Sequence, residues 1–451
     1  MDRPDDSRSE ELPARTLFGH PPGLTVLFTT QMWAEFSFFG LQALLVYYMT
    51  KHLGFSQAKS SLIYGAYGAA AFFSPLFGGI IADRWLGRTR SVIIGGTLMM
   101  FGHFAMAFES LLFPALVLVA IGNGLFIPPL ATQVGSLYAD RDPRKPYAYS
   151  AYYMGINLGG FLAPLVCGTL GELYGWHWGF AAAGIGMGIG LIVYCTSLRL
   201  LPPEPDRTCR AETSREGGPP IDLAKIRTLF LMIAMIVLFR IGYEQSGNVI
   251  ALWVADRTDR SIAFLGSGVA IPATWFQSIN PLLIIVLTPF LIRFWRSRGK
   301  REDVAQLLRR MSIGCIVAGL AMMLMVGAAA MSGPEGARVS SWWTIGYFVL
   351  LTLGELLVIP VGLALVDKLS PAAFAATAMG GWYIAKFLGS LLAGVMGAYW
   401  LKIPPSEFFA LGMVSPLLAA VCLYLLSRSV GFRGSSSGSA IVRSPLGPPH
   451  S

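Results

Sequence analysis

Ionisable side chains set in the middle of long apolar runs constrain this chain more than any other feature. Glu35, Arg240, Glu244, Glu355 and Lys386 each stand inside such a run, and the sequence contains twelve of them. A charge at the centre of a membrane helix costs roughly 2.5–3.5 kcal/mol even on the lenient insertion scale, so it lines an interior cavity or pairs there. The pattern points to a polytopic membrane protein with a polar interior.

Composition agrees, with 13% charged and 54% hydrophobic residues against about 25% charged in a soluble domain. The formal net charge of +9 does not indicate a nucleic-acid partner, because Lys and Arg sit in the loops between apolar spans rather than on one basic face. Cys167, Cys195, Cys209, Cys315 and Cys422 form no C-x-x-C pair and read as small core residues, so neither a metal nor a disulfide framework is expected. Residues Met1 to Arg15 are polar and mixed in charge, unlike a cleavable signal peptide, and are expected to stay cytoplasmic.

With about 20 apolar residues as the ruler, spans fall near 24–49, 58–81, 91–108, 112–136, 147–170 and 178–198, then 227–254, 271–294, 304–331, 342–366, 375–400 and 406–426. The expected organisation is an N-terminal segment (1–23), a six-helix bundle (24–198), a linker (199–226), a second six-helix bundle (227–428) and a disordered tail (429–451). The linker is rich in Pro and Gly, with Pro202, Pro203, Pro205, Gly217, Gly218, Pro219 and Pro220. Arg84, Arg88, Arg90, Arg141, Arg144, Lys145, Arg296, Arg298, Lys300 and Arg301 all fall on the linker side. The positive-inside rule makes that side the cytoplasm and places both termini there. Lys51, Lys59, Arg257, Arg260, Arg338 and Lys402 lie opposite. Two such halves are the plan of alternating-access carriers built from paired repeats.

The loop Gly78, Gly79, Ala82, Asp83, Arg84, Gly87, Arg88, Thr89, Arg90 resembles the G-x-x-x-D-R-x-G-R-R signature of the major facilitator superfamily. Its glycines allow close helix contact, and Asp83 with the arginines can bridge helix ends. Longer strings resemble one branch, the proton-dependent oligopeptide transporters. They are Tyr153-Met-Gly-Ile-Asn-Leu-Gly-Gly160 with Gly175-Trp-His-Trp-Gly-Phe180, Glu244-Gln-Ser-Gly247, Ala255-Asp-Arg-Thr-Asp-Arg260, Trp275-Phe-Gln-Ser-Ile-Asn280, and Gly354-Glu-Leu356 followed by Pro360-Val-Gly362. The resemblance implies an all-α membrane protein of twelve helices in two six-helix bundles. Its implied role is secondary transport of di- or tripeptides by alternating access, with proton symport as the family default.

The first helix departs from the family. Its pattern E-x-x-E-R-F-x-Y-Y-G falls on Gln31-Met-Trp-Ala-Glu-Phe-Ser-Phe-Phe-Gly40, so the acids and arginine give way to Gln31, Ala34 and Glu35, and two hydroxyls are lost at Phe38 and Phe39. A family arginine falls on Gln42, a tyrosine on Phe72 and a lysine on Ile127. In the family these N-half groups are thought to hold the peptide carboxylate, through a charge-assisted fork that Gln42 and Ile127 do not supply. The C-half keeps Asn280 and Glu355, with Asn157 on the fifth helix, and adds Arg240, one turn before Glu244, and Lys386, one turn after Trp382.

Residues expected to face the central cavity and bind substrate are therefore Gln31, Glu35, Phe38, Phe39, Gln42, Asn157, Arg240, Glu244, Asn280, Glu355, Trp382 and Lys386. Glu35 and Glu355 are the candidates for proton coupling, and Gly78, Asp83, Arg84, Gly87 and Arg88 for gating. Helical steps place Gln31, Glu35, Phe38 and Gln42 on one stripe. His103 reads as a hydrogen-bonded packing residue, His177 as part of an interfacial aromatic belt, and the Gly184–Gly190 run as a helix contact rather than a phosphate loop. With no G-x-S-x-G, H-E-x-x-H or Walker lysine, neither an enzyme nor a cofactor is expected. The expected protein is a monomer of the bacterial cytoplasmic membrane. Two alternatives stand beside peptide transport: a uniporter or exporter of a more hydrophobic amine-bearing compound, and a ligand sensor that does not transport.

Overall fold

The computed structural model describes residues 19–139, 142–204, 223–261, 270–296, 303–333, 335–370 and 375–439. The first residues through Arg15, most of the linker with Cys209, the loop cations Arg141, Arg298, Lys300 and Arg301, and the last twelve residues lie outside them.

The N-terminal bundle holds α1 (Pro22–Tyr47), α2 (Gln57–Ile81), α3 (Arg88–Ala105), α4 (Leu112–Ser136), α5 (Lys145–Thr169) and α6 (Trp176–Thr196). The second holds α7 (Leu223–Tyr243), α8 (Val249–Arg257), α9 (Ile279–Arg296), α10 (Val304–Ser332), α11 (Ser341–Leu369), α12 (Ala375–Gly397) and α13 (Pro405–Ser439). Helices α7 and α8 are two parts of one span, so the chain crosses twelve times. Two residue pairs, β1 (Thr258–Asp259) and β2 (Val339–Ser340), add a short parallel ladder.

Local sequence explains the helix ends. Proline at Pro22 opens α1 where its missing N–H is no loss. The Asp303 and Gln306 side chains form a reciprocal capping box on α10. Gly87 and Gly175 take φ of 81° and 121°, left-handed backbone that a side chain disfavours, and each leads straight into the next helix. Small residues then let helices touch. A Cβ on Gly78 would run into the backbone of Gly124, fixing α2 against α4.

The seventh span differs from the continuous helix expected over 227–254. It breaks into a tighter turn at Glu244–Gly247 and resumes at Val249. The polar run Gln-Ser-Gly-Asn finds partners on other helices: Gln245 Nε2 donates to the Ala393 carbonyl at 2.9 Å and Ser61 Oγ to Asn248 Oδ1 at 2.8 Å. A broken helix is tolerated in a membrane where such partners replace its own bonds. The eighth span likewise starts with a tight turn, Ala273–Ser278, before α9. Helix α13 continues to Ser439, past the expected start of the tail, because extending an existing helix adds one bond for each residue fixed.

The bundles meet along α2 and α12, where a Cβ on Gly65 would lie 2.6 Å from the Gly394 Cα and the Phe73 and Phe387 rings are 5.0 Å apart. They also meet where α5 passes α9 and its leading turn, with Ser278 Oγ donating to the Phe161 carbonyl at 2.8 Å. Polar contacts between bundles gather at the end away from the linker. Lys51 pairs with Asp256 at 2.8 Å, Tyr47 OH donates to the Ala251 carbonyl at 2.7 Å, and Gln57 Nε2 to the Gly397 carbonyl at 2.9 Å. There Glu172 accepts the backbone N–H groups of Ala273 and Thr274 at 2.9 and 2.8 Å. This distal end is latched shut.

At the linker end Glu204 performs a similar task within one bundle. Its carboxylate accepts Arg88 N at 3.1 Å and Thr89 N at 2.6 Å, closing the start of α3, while Arg88 Nη1 donates to Ser136 Oγ at 2.8 Å. Burial raises the Glu204 carboxyl, but the Thr89 and Arg88 backbone N–H groups and the Arg88 charge outweigh it and hold the carboxyl below its usual value. The sign follows: stability from this cap is complete above the unfolded pKa and disappears as pH falls through the folded one.

Two predictions follow from these contacts. Gly78→Val should destabilise the purified protein by about 1–3 kcal/mol through overpacking, read as a lower thermal midpoint, whereas Gly79→Ala, whose Cβ would sit 3.6 Å from Pro128, should leave it unchanged. Glu204→Gln should lower the midpoint at neutral pH, and the gap from wild type should close in acid; a constant gap would refute the cap.

Candidate functional site

Midway along the spans the charged residues converge from both bundles. On α1, Gln31 Nε2 donates to Glu35 Oε1 at 2.6 Å, the i,i+4 contact that the stripe allows. Tyr152 OH on α5 donates to Gln31 Oε1 at 2.7 Å and so orients the amide. Glu35 is half-buried, and its Oε2 has no hydrogen-bond partner among the described residues.

Glu355 on α11 is held from two other helices. Tyr243 OH donates to Oε1 at 3.1 Å and Asn280 Nδ2 to Oε2 at 2.8 Å, while the same amide nitrogen reaches Thr352 Oγ1 at 3.0 Å. Arg240 of α7 and Glu244, the first residue of the tight turn after it, form a buried ion pair, with the guanidinium 4.9 Å from the Tyr243 ring and 5.2 Å from that of Phe72. Gly389 of α12 leaves room for the Arg240 stem, since a Cβ there would collide with it.

Lys386 on α12 completes the cluster. Its Nζ lies 4.1 Å from the centre of the Phe72 ring and 5.9 Å from that of Tyr383, attractive positions for a cation. It makes no salt bridge among the described residues, yet its charge acts on Glu35 in one bundle and Glu355 in the other. Phe72 of α2 thus carries cations from α7 and α12 on one ring.

The structure brings together Gln31, Glu35, Arg240, Asn280, Glu355 and Lys386, and gives other expected residues partners of their own. Glu244 is committed to Arg240 rather than open to a cavity. Asn157 donates to the Tyr153 carbonyl of its own helix at 2.9 Å. Trp382 is buried against Gly362, where a side chain would clash with its ring. Phe38 stacks on Tyr67 at 6.1 Å, Phe39 meets Phe38 edge-on at 5.7 Å, and Gln42 turns toward Tyr64. Of the gating set, Gly78 and Arg88 act as described, and Asp83 does have a partner. His103 is fully buried, but neither ring nitrogen has a hydrogen bond, which corrects the expectation of a bonded residue. Among the described residues, packing alone holds it. His177 is exposed beside Trp178, in keeping with an interfacial belt.

Sequence reasoning missed Tyr152, Tyr243, Thr352 and Tyr383. Tyr243 sits three residues after Arg240 and directly before Glu244, and hydroxyls inside apolar spans seek partners. That was the available signal. Two cavities lie apart from the cluster: one of about 640 Å³ at the linker ends of α4 and α5, lined by Thr132, Ser136, Tyr138, Lys145 and Tyr149 among others, and an apolar one of about 230 Å³ between α9 and α11.

The buried Arg240–Glu244 pair gives a direct test. Arg240→Met leaves Glu244 uncompensated and should cost about 3–5 kcal/mol, whereas adding Glu244→Met should recover most of the loss. Thermal unfolding of the single and double variants in detergent checks this, and equal damage in both would exclude a mutually neutralising pair.

Comparison with known proteins places this arrangement in context. The family model described as Major Facilitator Superfamily matches residues 27–394. A relative from Bacillus subtilis (strain 168), the uncharacterized transporter YclF, is 33% identical, covering 93% of this chain and 96% of its own. The peptide transporter YePEPT of Yersinia enterocolitica is 31% identical, with 91% and 95% covered. The crystal structure of a peptide transporter POT in complex with sulfate superposes with a TM-score of 0.83 at 28% identity, covering 93% of this chain and 97% of that one. The interlocked twelve-span bundles, the signature loop and these relatives together establish that the chain belongs to the major facilitator superfamily and, within it, to the proton-dependent oligopeptide transporters.

Proposed function

We propose that this carrier moves di- and tripeptides across a bacterial cytoplasmic membrane, as a monomer with both termini inside, and that protons drive the movement. The observation that carries this reading is the mid-membrane cluster: two cations of the second bundle meet on Phe72 of the first, with carboxylates contributed by both bundles, and Glu35, Asn280 and Lys386 are only half-buried. Idle charges at that depth are costly, so their retention fits a site that alternately admits a polar solute and closes. Relatives named as peptide transporters support the substrate class. With the end away from the linker latched, the conformation corresponds to a carrier closed to the outside and poised to exchange with the cytoplasm. Opening outward would break Lys51–Asp256 and release Glu172 from the start of the eighth span. Glu355 is the proton-coupling residue in this reading, because the Tyr243 hydroxyl can donate to its carboxylate or accept from its protonated form, while Asn280 donates to the other oxygen in both.

A second reading is uniport of a more hydrophobic, amine-bearing compound. It is favoured by the loss of N-half polar groups at Phe38, Phe39, Gln42 and Ile127. Proteoliposomes distinguish the two. Labelled dialanine should accumulate under an inward proton gradient, drawing on about 2.3 kcal/mol per charge for each 100 mV. Glu355→Gln should abolish that accumulation while leaving exchange intact. Flux indifferent to pH would favour the uniporter, and binding without flux under any gradient would favour a sensor.

A further inference from the structure

The two cations of the cluster differ in how fully they are already engaged. Arg240 has Glu244 as counter-ion and two ring faces around its guanidinium, and its stem lies against Gly389. Lys386 has ring faces alone: Phe72 and Tyr383 attract its charge, but no carboxylate, hydroxyl or carbonyl is recorded as accepting from its three N–H donors among the described residues. It is half-buried. A cation so placed gains strongly from an arriving anion, since a charge-assisted hydrogen bond in a low-dielectric site is among the stronger polar contacts. On the N-bundle side no cation stands at the two positions where the family carries one. Gln42 is neutral and turned to Tyr64, and Ile127 is apolar.

The acids show a matching asymmetry. Both oxygens of Glu355 are engaged, by Tyr243 and Asn280. Glu35 has Oε1 held by Gln31 and Oε2 without a donor among the described residues, and its charge and that of Lys386 act on each other without forming a salt bridge. One open acceptor on α1 therefore faces one open donor on α12.

We propose that Lys386 is the anchor for the substrate's carboxylate and Glu35 the anchor for its ammonium, so that a zwitterion bridges the two bundles through α12 and α1. This rests on the peptide reading above and adds the orientation of the substrate and the groups it must carry. Because the anchors belong to different bundles, a ligand holding both favours the conformer in which they approach. Binding energy is thereby coupled to closure. The selectivity is for a free carboxylate together with a free amine, and peptides capped at either end lose one of the two contacts.

The test is isothermal titration of the purified full-length protein with dialanine, dialanine amide and N-acetyl-dialanine. Wild type should bind dialanine roughly tenfold or more tightly than either capped form. Lys386→Gln should weaken dialanine to the level of its amide without changing the amide itself, and Lys386→Arg should restore much of the preference. Lys386→Met, which keeps the apolar contact with Phe72, should behave like the Gln variant and stands in for it should that one fail to fold. Glu35→Gln should erase the penalty of N-acetylation only. If a folded neutral variant keeps the wild-type preference for dialanine over its amide, the anchor is elsewhere and the proposal fails while the peptide reading stands. If wild type binds none of the three, the peptide reading fails and takes this inference with it.

Discussion

A charge in hydrocarbon must find a counter-charge, a hydrogen-bond partner or water, and this requirement organises the middle of the molecule. Arg240 meets it within one helical turn through Glu244 and adds the faces of Tyr243 and Phe72. Glu355 meets it through neutral donors on two other helices, which ties α7, α9 and α11 at one level. Glu35 meets half of it through Gln31, itself fixed by Tyr152 of α5. Each solution draws in a different set of helices, so packing around the cavity is dictated by polar demand as much as by apolar fit.

Close backbone contact supplies the other half of the design. Lipid tails are as apolar as leucine, so helices in a bilayer associate through tight packing and interhelical polar bonds rather than by expelling water. Gly78 against Gly124 makes α2 and α4 one rigid unit, and Gly65 against Gly394 lets α2 of one bundle touch α12 of the other. The first contact lies within a bundle and the second between bundles. A rocking motion would preserve the former and use the latter as a bearing, while the distal latches around Asp256 and Glu172 open or shut.

Much of this was legible in the sequence, and what was not has a physical reason. Apolar length located the spans, because a bilayer imposes a fixed thickness on any helix that crosses it. The Gln31–Glu35 and Arg240–Glu244 contacts were readable as helical spacing. The break at Glu244–Gly247 was not, because what stabilises it comes from Ser61 and Ala393, distant in sequence. Phe72 looked like a mere loss of a hydroxyl; only the approach of α7 and α12 turns it into the seat of two cations. Glu204 sat in a linker that composition marked as helix-breaking, yet its carboxylate caps α3. Interactions set by local spacing are visible in one dimension, and those set by helix assembly are not.

The departures in the first helix become coherent once the cluster is seen whole. Removing cations from the N-bundle at Gln42 and Ile127 would leave the interior strongly acidic unless cations reappeared elsewhere, and Arg240 and Lys386 do reappear on α7 and α12. Both come from the second bundle, so the interior has changed its polarity direction rather than its overall balance. Phe72 is what makes this arrangement tolerable. A ring face attracts an ammonium without spending its N–H donors, so Lys386 is steadied in the resting protein and still free to meet an anion. A tyrosine or carboxylate in place of Phe72 would bring a hydrogen-bond acceptor within reach and compete with any ligand for those donors. The apolar ring on α2 and the lysine on α12 are thus two parts of one contact.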